Sequence, residues 1–129
     1  VMVNESAVIV DDDESITEIF SDILQFQGLD VLGIGHDGND AIHLYKKHQP
    51  DLIFMDINMP NMDGVEALTE IKKIDPESKV IIITSDSSTK LKNQVEGIGA
   101  SAIIYKPFKI EKIQEMINGI EKSSNIMIQ

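Results

Sequence analysis

Five short runs of β-branched and other apolar residues recur along the chain, and the gaps between them are too long for hairpins. The runs occupy residues 7–10, 30–34, 52–55, 80–83 and 102–104. The stretches between them show helical periodicity, and three of the runs are almost wholly apolar, which is typical of strands buried on both faces. Right-handed crossovers place helices on both sides of such a sheet. The pattern therefore predicts an α/β fold with five parallel strands, doubly wound by five helices.

Two of the predicted helices carry apolar stripes that are expected to face the sheet. The stripe after the first run comprises Ile16, Ile19, Phe20, Ile23 and Leu24, and the stripe after the last run comprises Ile110, Ile113, Ile117 and Ile120. Gly28 is predicted to follow the end of the first helix. Asp63, with Glu66 three residues later, is predicted to cap the start of the third helix.

The length of the chain fits one domain spanning residues 1–129, because 129 residues with 42% hydrophobic composition can bury one core. The core is predicted to run from about residue 7 to residue 122. The last helix is expected to fade near Lys122, which leaves residues 1–6 and 123–129 as short tails.

The charge and cysteine counts exclude several classes of protein. With no cysteine there is no disulfide framework and no thiolate chemistry. The chain has eleven lysines, no arginine and 22 acidic residues, and its net charge of −11 argues against direct nucleic-acid binding. No apolar run approaches the roughly 20 residues that cross a bilayer. We therefore expect a cytoplasmic protein without membrane insertion.

Polar residues follow the predicted strands at the edge where ligands bind in such a sheet. Asp11 and Asp12 follow the first strand, Asp56 the third, Thr84 the fourth and Lys106 the fifth. Two carboxylates about 4 Å apart repel each other by about 4 kcal/mol at an effective dielectric constant near 20. Crowded acids of this kind need a proton or a cation, and Mg²⁺ suits carboxylate and carbonyl oxygens. The sequence therefore predicts a magnesium site beside a lysine and a hydroxyl.

These groups are the parts that stabilise a phosphoryl group during transfer, with Asp56 as the acceptor. The neighbouring acids Asp13 and Glu14 are interpreted differently. Negative charge at the start of a helix, exposed to solvent, accounts for them without any role in the site.

Four motifs in the same order, each at a strand end, resemble those of response-regulator receiver domains. The motifs are Val10-Asp11-Asp12, Met55-Asp56 through Asp63-Gly64, Thr84-Ser85 and Lys106-Pro107-Phe108. The resemblance covers the chain from residue 7 to about residue 122. It implies a flavodoxin-like fold and a stand-alone receiver similar to the chemotaxis regulators.

The resemblance also implies a phosphorylation switch. Asp56 would accept a phosphoryl group from the phosphohistidine of a sensor histidine kinase or a phosphotransfer protein, and would then lose it to water. Asp12, Asp56 and the main-chain carbonyl of Asn58 would bind Mg²⁺, and Asp11 would hold a metal-bound water. The protein would therefore act as a self-modifying acceptor with autophosphatase activity.

Thr84 and Lys106 would each bind a phosphoryl oxygen, and the Lys106-Pro107 peptide would be cis, as in the family. Activation would reshape the face made by the fourth helix, the fifth strand and the fifth helix, and this face would regulate a downstream protein target. The family places an aromatic residue three positions before the lysine. Here that position is Ile103, and Tyr105 lies on the same face of the strand, where it is either a substitute or a surface residue.

Three other functions match parts of the sequence, and particular residues argue against each of them. Gly33, Gly35 and Gly38 satisfy the spacing of a dinucleotide fingerprint, but the nearby acids would repel a pyrophosphate, so these glycines are interpreted as turn residues. A phosphatase of the haloacid dehalogenase type needs a second acid where Asn58 stands. An interaction module that is never phosphorylated is argued against by the intact set of site residues.

Several other polar residues have a functional and a neutral interpretation. Asp86 is either an acid that orients the attacking water or an exposed acid before the fourth helix. The histidines are assigned to a turn and to the second helix, at the surface; they are His36, His43 and His48. Lys90 and Lys92, on the fourth helix, either help to dock an acidic target or are solvated.

Overall fold

Ten elements alternate strictly between strand and helix in a computed structural model, which describes residues 5–128 and the side chains of residues 5–120. They are β1 (Ser6–Val10), α1 (Glu14–Phe26), β2 (Asp30–Gly35), α2 (Gly38–His48), β3 (Leu52–Asp56), α3 (Gly64–Ile74), β4 (Val80–Thr84), α4 (Thr89–Ile98), β5 (Ala102–Tyr105) and α5 (Ile110–Ile128). The predicted strands agree with the observed ones to within one residue at each end. This agreement confirms the alternation that the hydrophobic pattern predicted.

The five strands form one sheet in the order β2-β1-β3-β4-β5, and every neighbouring pair is parallel. The predicted doubly wound α/β fold is therefore confirmed. The chain runs from β1 to β2 at one edge of the sheet and from β3 through β4 to β5 at the other edge. The connections that leave β1 and β3 therefore run to opposite sides. A crevice opens at such a point beyond the carboxyl ends of the strands, and this is where ligands bind in folds of this kind.

The sheet carries a core on each face because the side chains of its strands alternate between the faces. Ile53 and Met55 of β3 belong to the cluster covered by α2, α3 and α4. Phe54 belongs to the cluster covered by α1 and α5, where its ring centroid lies 5.0 Å from that of Phe20. All residues of β3 and β4 are buried, so the central strands provide a rigid base for the loops that follow them.

The predicted apolar stripes are correct except at two positions. Phe20 and Ile23 of α1 and Ile113 of α5 are buried against the sheet. Ile19 is 51% exposed and Ile110 is 53% exposed, so the expectation that they face the sheet is wrong. Both line one groove between α1 and the start of α5. The stripe on each helix is wider than its contact with the sheet, and its outer edge faces this groove.

The expected tails are also shorter than the sequence suggested. Ser6 is the first residue of β1, in register with Asp30 of β2, so it is not part of a loose end. α5 continues to Ile128, beyond the predicted end near Lys122, because no glycine or proline interrupts residues 120–128. The expectation for residues 1–4 lies outside the described part of the chain. Among the helices within residues 5–128, none is both long and apolar enough to cross a membrane.

The interpretation of Gly33 and Gly35 as turn residues is wrong, because both lie within β2. A Cβ atom on Gly33 would lie 2.9 Å from Cδ2 of Leu44, and one on Gly35 would lie 2.7 Å from Cβ of Asp40. These glycines allow α2 to pack directly on the edge strand. Gly38 is the first residue of α2 rather than part of a turn.

Candidate functional site

The carboxylates of Asp11, Asp12 and Asp56 meet at the crevice between β1 and β3. Each of them offers one oxygen, and these oxygens lie within 4.8 Å of one another. Asp11 is fully buried and Asp56 is 5% exposed, whereas Asp12 is exposed. The structure therefore brings together the acids that the sequence placed at neighbouring strand ends.

Lys106 supplies positive charge to this cluster. Its Nζ atom lies 2.8 Å from Oδ2 of Asp11 and 3.7 Å from Oδ1 of Asp56. Burial disfavours the charged amine, but the hydrogen bond to Asp11 and the charge of Asp56 outweigh it, so the pKa of Lys106 is raised. Crowded acids need a proton or a cation nearby, and the lysine meets part of that requirement.

Asp56 differs from an ordinary aspartate in its protonation. Burial raises its pKa to about 6, and the charge of Asp11 contributes to the increase. Lys106 and the amide of Ile57, which donates to Oδ1 of Asp56 at 2.9 Å, oppose this shift. A bound metal ion would also favour the charged form of Asp56. Its pKa would therefore be lower when the ion is bound than when it is absent.

The raised pKa predicts how stability depends on pH in protein kept free of metal. Folded Asp56 holds its proton to about pH 6, whereas an unshifted aspartate releases it near 3.8, so the folded state binds more protons between these values. The contribution of Asp56 to stability should therefore fall as pH rises from about 4 to about 6. Asp56→Asn should melt like the wild type near pH 4 and should be more stable, by on the order of 1–2 kcal/mol, at pH 7.

Thermal unfolding of both proteins in EDTA across this pH range checks the prediction. Glu18→Gln, which neutralises an exposed acid on α1 instead, is the matched control, and its difference from the wild type should not grow in the same interval. A wild type that gains stability relative to Asp56→Asn between pH 4 and 6 would contradict the account.

Thr84 ends β4 beside the strand that carries Asp56 and is 1% exposed. Its Oγ1 atom accepts a hydrogen bond of 3.0 Å from the amide of Asp86, which leaves the hydroxyl proton available for donation. The side chain of Asp86 is exposed and accepts a hydrogen bond from the amide of Ser88 at 2.9 Å. In this structure Asp86 therefore shapes the turn before α4, which favours the second of its two interpretations.

The loop between β3 and α3 is held against the end of β3 by a glycine. The amide of Gly64 donates to the carbonyl of Ile57 at 2.8 Å, and a Cβ atom at Gly64 would lie only 2.1 Å from the carbonyl oxygen of Asp56. Asp63 caps α3 as predicted, accepting from the amide of Glu66 at 2.9 Å. Asn58 is exposed in this loop, two residues after Asp56.

Sequence reasoning missed the contacts that the loop between β2 and α2 makes with the site. Nδ1 of His36, which is exposed, lies 3.0 Å from the carbonyl oxygen of Asp11 as a hydrogen-bond donor. Oδ2 of Asp37 accepts from Nδ2 of Asn61 at 2.8 Å. Asp37 directly before a predicted helix could have indicated a cap, but not a partner 24 residues away.

The residues around Lys106 agree with the expectations that came from the resemblance. The Lys106-Pro107 peptide is cis. Tyr105 is 39% exposed and Ile103 is half-buried against the core under α4. The interpretation of Tyr105 as a surface residue therefore fits its position in this structure.

The chemistry of the acidic cluster fits a hard divalent cation. All of its donors are carboxylate oxygens, the pKa of one acid, Asp56, is raised by burial, and one side of the cluster is open at Asp12. Mg²⁺ prefers such oxygens and retains several waters, which an open site permits. Asp11, Asp12 and Asp56 form a group that could hold a metal ion.

Comparison with known proteins identifies the class to which this fold and site belong. Residues 7–118 match the response regulator receiver domain. The chain belongs to this family, whose members receive signals in two-component systems. The resemblance drawn from the four motifs is thereby confirmed.

The relatives place the chain among the chemotaxis-like receivers. It is 38% identical to the chemotaxis protein CheY of Bacillus subtilis over 111 residues, which cover 86% of this chain and 92% of that protein. It is 35% identical to CheY of Thermotoga maritima, covering 89% and 96% of the two chains. A chain of the solved CheX-CheY-BeF3-Mg complex of Borrelia burgdorferi superposes with a TM-score of 0.87, at 28% identity, over 90% of this chain and 88% of that one.

Proposed function

We propose that this receiver domain is a Mg²⁺-dependent phosphorylation switch in which Asp56 is the phosphoryl acceptor. The observation that carries the proposal is the placement of the nearly buried Asp56 in a cluster with Asp11, Asp12 and the amine of Lys106. A relative of known structure was crystallised with BeF3 and Mg, which supports this chemistry for the present chain.

The roles of the side chains are those that the resemblance to receiver domains implies. Asp12, Asp56 and the carbonyl of Asn58 would hold Mg²⁺, and Asp11 would hold a water in its coordination shell. When bound, the ion supplies positive charge that favours ionised Asp56 and neutralises the charge of an incoming phosphoryl group. Asp12 is open to solvent, which leaves a side for the ion and the phosphoryl group to enter.

Phosphoryl transfer requires an oxygen of Asp56 to bond to phosphorus while the bond from phosphorus to the donor nitrogen breaks. The hydroxyl of Thr84 can donate its free proton to one phosphoryl oxygen. Lys106 can move from Asp11, 2.8 Å away, to bind another. Hydrolysis later breaks the bond between phosphorus and Asp56 and restores the carboxylate, so the protein resets itself.

Acetyl phosphate, a small-molecule donor, tests the proposal without any partner protein. Wild-type protein incubated with acetyl phosphate and Mg²⁺ should gain one phosphoryl group by intact-mass measurement, and EDTA should prevent the gain. No gain in Mg²⁺ would favour the alternative in which the chain is an interaction module that is never phosphorylated.

A protein donor of the phosphoryl group must cover the surface beside Asp56. The groove between α1 and α5 adjoins the site, because Ser85 and Lys106 line it together with the exposed side chains of Ile19 and Ile110. We propose that this groove contacts the histidine kinase or phosphotransfer protein that supplies the phosphoryl group. Its apolar lining is suited to an apolar face on such a donor.

Ile19→Gln is therefore expected to slow phosphorylation by the protein donor by about 10-fold, since a buried apolar contact would be replaced by a polar side chain. The rate with acetyl phosphate should not change, because Ile19 is not part of the site. Ile74→Gln, at an apolar position of similar exposure at the end of α3, is the matched control. Equal rates for both variants with the protein donor would disprove the docking surface.

We propose that the face made by α4, β5 and α5 binds a downstream protein target and so transmits the signal. A groove of about 490 Å³ lies on this face, lined by Ile103, Tyr105, Met116 and two lysines, Lys109 and Lys112. Lys90 and Lys92 are exposed on α4 as predicted. Clustered lysines on a chain with a net charge of −11 favour an acidic target.

A further inference from the structure

The short loop between β2 and α2 contacts both loops that carry the proposed metal ligands. On one side, Nδ1 of His36 donates to the carbonyl oxygen of Asp11, in the loop after β1. On the other side, Asp37 and Gly38 contact the loop after β3. The carboxylate of Asp37 accepts from the amide group of Asn61 at 2.8 Å, and the amide of Gly38 donates to the carbonyl of Met62 at 2.9 Å.

The contact with the loop after β3 leaves little room for movement. A Cβ atom on Gly38 would lie 2.6 Å from both Cγ and the carbonyl oxygen of Met62, so α2 begins directly against this loop. Asn61 adopts a left-handed backbone conformation with φ of 66°, which is uncommon for residues other than glycine. The hydrogen bond that Asn61 donates to Asp37 therefore holds the loop at this left-handed residue, three residues after Asn58.

The two carboxylate oxygens of Asp37 accept hydrogen bonds from different residues. Oδ1 accepts from the amide of Asp40 at 2.8 Å and caps α2, while Oδ2 accepts from Asn61. A cap alone needs one oxygen, as serine shows at many helix starts. The second oxygen is thus explained by the link between α2 and the loop that bears Asn58.

We infer that the bond between Asp37 and Asn61 is a positioning device that sets the carbonyl of Asn58 at the distance from Asp12 and Asp56 that Mg²⁺ requires. The inference rests on the proposed function, because it assumes Mg²⁺ at the acidic cluster. Residues that orient metal ligands without touching the metal typically change metal affinity by about 10- to 100-fold when they are removed. Asp37 and Asn61 would act in this way.

Three variants separate positioning from helix capping. Asn61→Gly removes the side-chain donor, leaves the charge unchanged and tolerates the left-handed backbone. Asp37→Ser keeps a capping oxygen but removes the oxygen that contacts Asn61. The third variant combines both changes. Asp51→Asn, at the opposite end of β3, is the control for the loss of one negative charge.

The measurements are the Mg²⁺ dissociation constant, from backbone amide NMR shifts during titration with MgCl₂, and the melting temperature in EDTA. Each single variant should bind Mg²⁺ about 10-fold more weakly. The double variant should bind no more weakly than the weaker single one, because both changes break the same bond. Asp51→Asn should change the dissociation constant by less than about 2-fold.

Unchanged Mg²⁺ affinity in both single variants, with or without a lower melting temperature, would overturn the inference and leave only a structural contact. Additive losses in the double variant would overturn it as well, since the two residues would then act independently. A wild type that does not bind Mg²⁺ at all would overturn the proposed function together with this inference. Wild-type binding with unaffected variants would overturn the inference alone.

Discussion

Asp56→Asn should abolish phosphorylation by acetyl phosphate and by a protein donor, with an expected loss of at least about 1000-fold in rate. The amide of asparagine is far less nucleophilic than a carboxylate, and it cannot supply the negative charge that binds Mg²⁺. Asparagine is nearly the same size and can accept the bond from the amide of Ile57, so the fold should persist. Intact-mass measurement after incubation with each donor in Mg²⁺ reports the loss directly.

Asp13→Asn is the matched control for this prediction. Asp13 is exposed and lies two residues from Asp11, but its side chain caps α1 by accepting from the amide of Ser15, and asparagine caps equally well. The variant should take up one phosphoryl group as the wild type does. Phosphorylation of Asp56→Asn at the wild-type rate would show that another residue is the acceptor.

Gly64→Ala should cause the largest loss of stability among substitutions near the site. An added Cβ atom would lie 2.1 Å from the carbonyl oxygen of Asp56 and 2.9 Å from Cα of Ile57. Both are backbone atoms, so a change of side-chain rotamer cannot relieve the clash. The start of α3 would have to move away from β3 or the protein would unfold. We expect a loss of about 3 kcal/mol or more in the free energy of unfolding. Thermal and urea unfolding measure it.

Gly97→Ala controls for the change from glycine to alanine itself. Gly97 lies in α4, and its added Cβ atom would meet no heavy atom within 4 Å, so the substitution should stabilise the helix by about 1 kcal/mol. A Gly64→Ala protein as stable as the wild type would contradict the packing described for the loop after β3. If Gly64→Ala still folds, its Mg²⁺ affinity should be reduced, because Asn58 lies in that loop.

The sequence predicted the sheet and the acidic cluster because both depend on local patterns. β3 and β4 are apolar at almost every position, which only a strand buried on both faces tolerates. Once the strands were assigned, parallel pairing placed their carboxyl ends at one edge. The meeting of Asp11, Asp12 and Asp56 followed from that edge alone.

Contacts between distant parts of the chain could not be predicted in the same way. The apolar stripe of α1 shows which residues avoid water, but not which of them contact the sheet, so Ile19 was assigned wrongly. Gly33 and Gly35 are of the residue type typical of turns, whereas in the structure they allow α2 to pack on β2. The bond between Asp37 and Asn61 depends on the angle at which α2 begins, and no periodicity in the sequence encodes that angle.

The central claim is that the crowded acids bind Mg²⁺ and that Asp56 thereby becomes the acceptor of a phosphoryl group. A crystal structure of the protein with Mg²⁺ and beryllofluoride tests it most directly, because beryllofluoride mimics a phosphoryl group on a carboxylate. We expect beryllium to be bonded to Asp56, with Mg²⁺ held by Asp12, Asp56 and the carbonyl of Asn58. Carboxylates that stand apart in solvent, with neither the ion nor beryllofluoride between them, would contradict it.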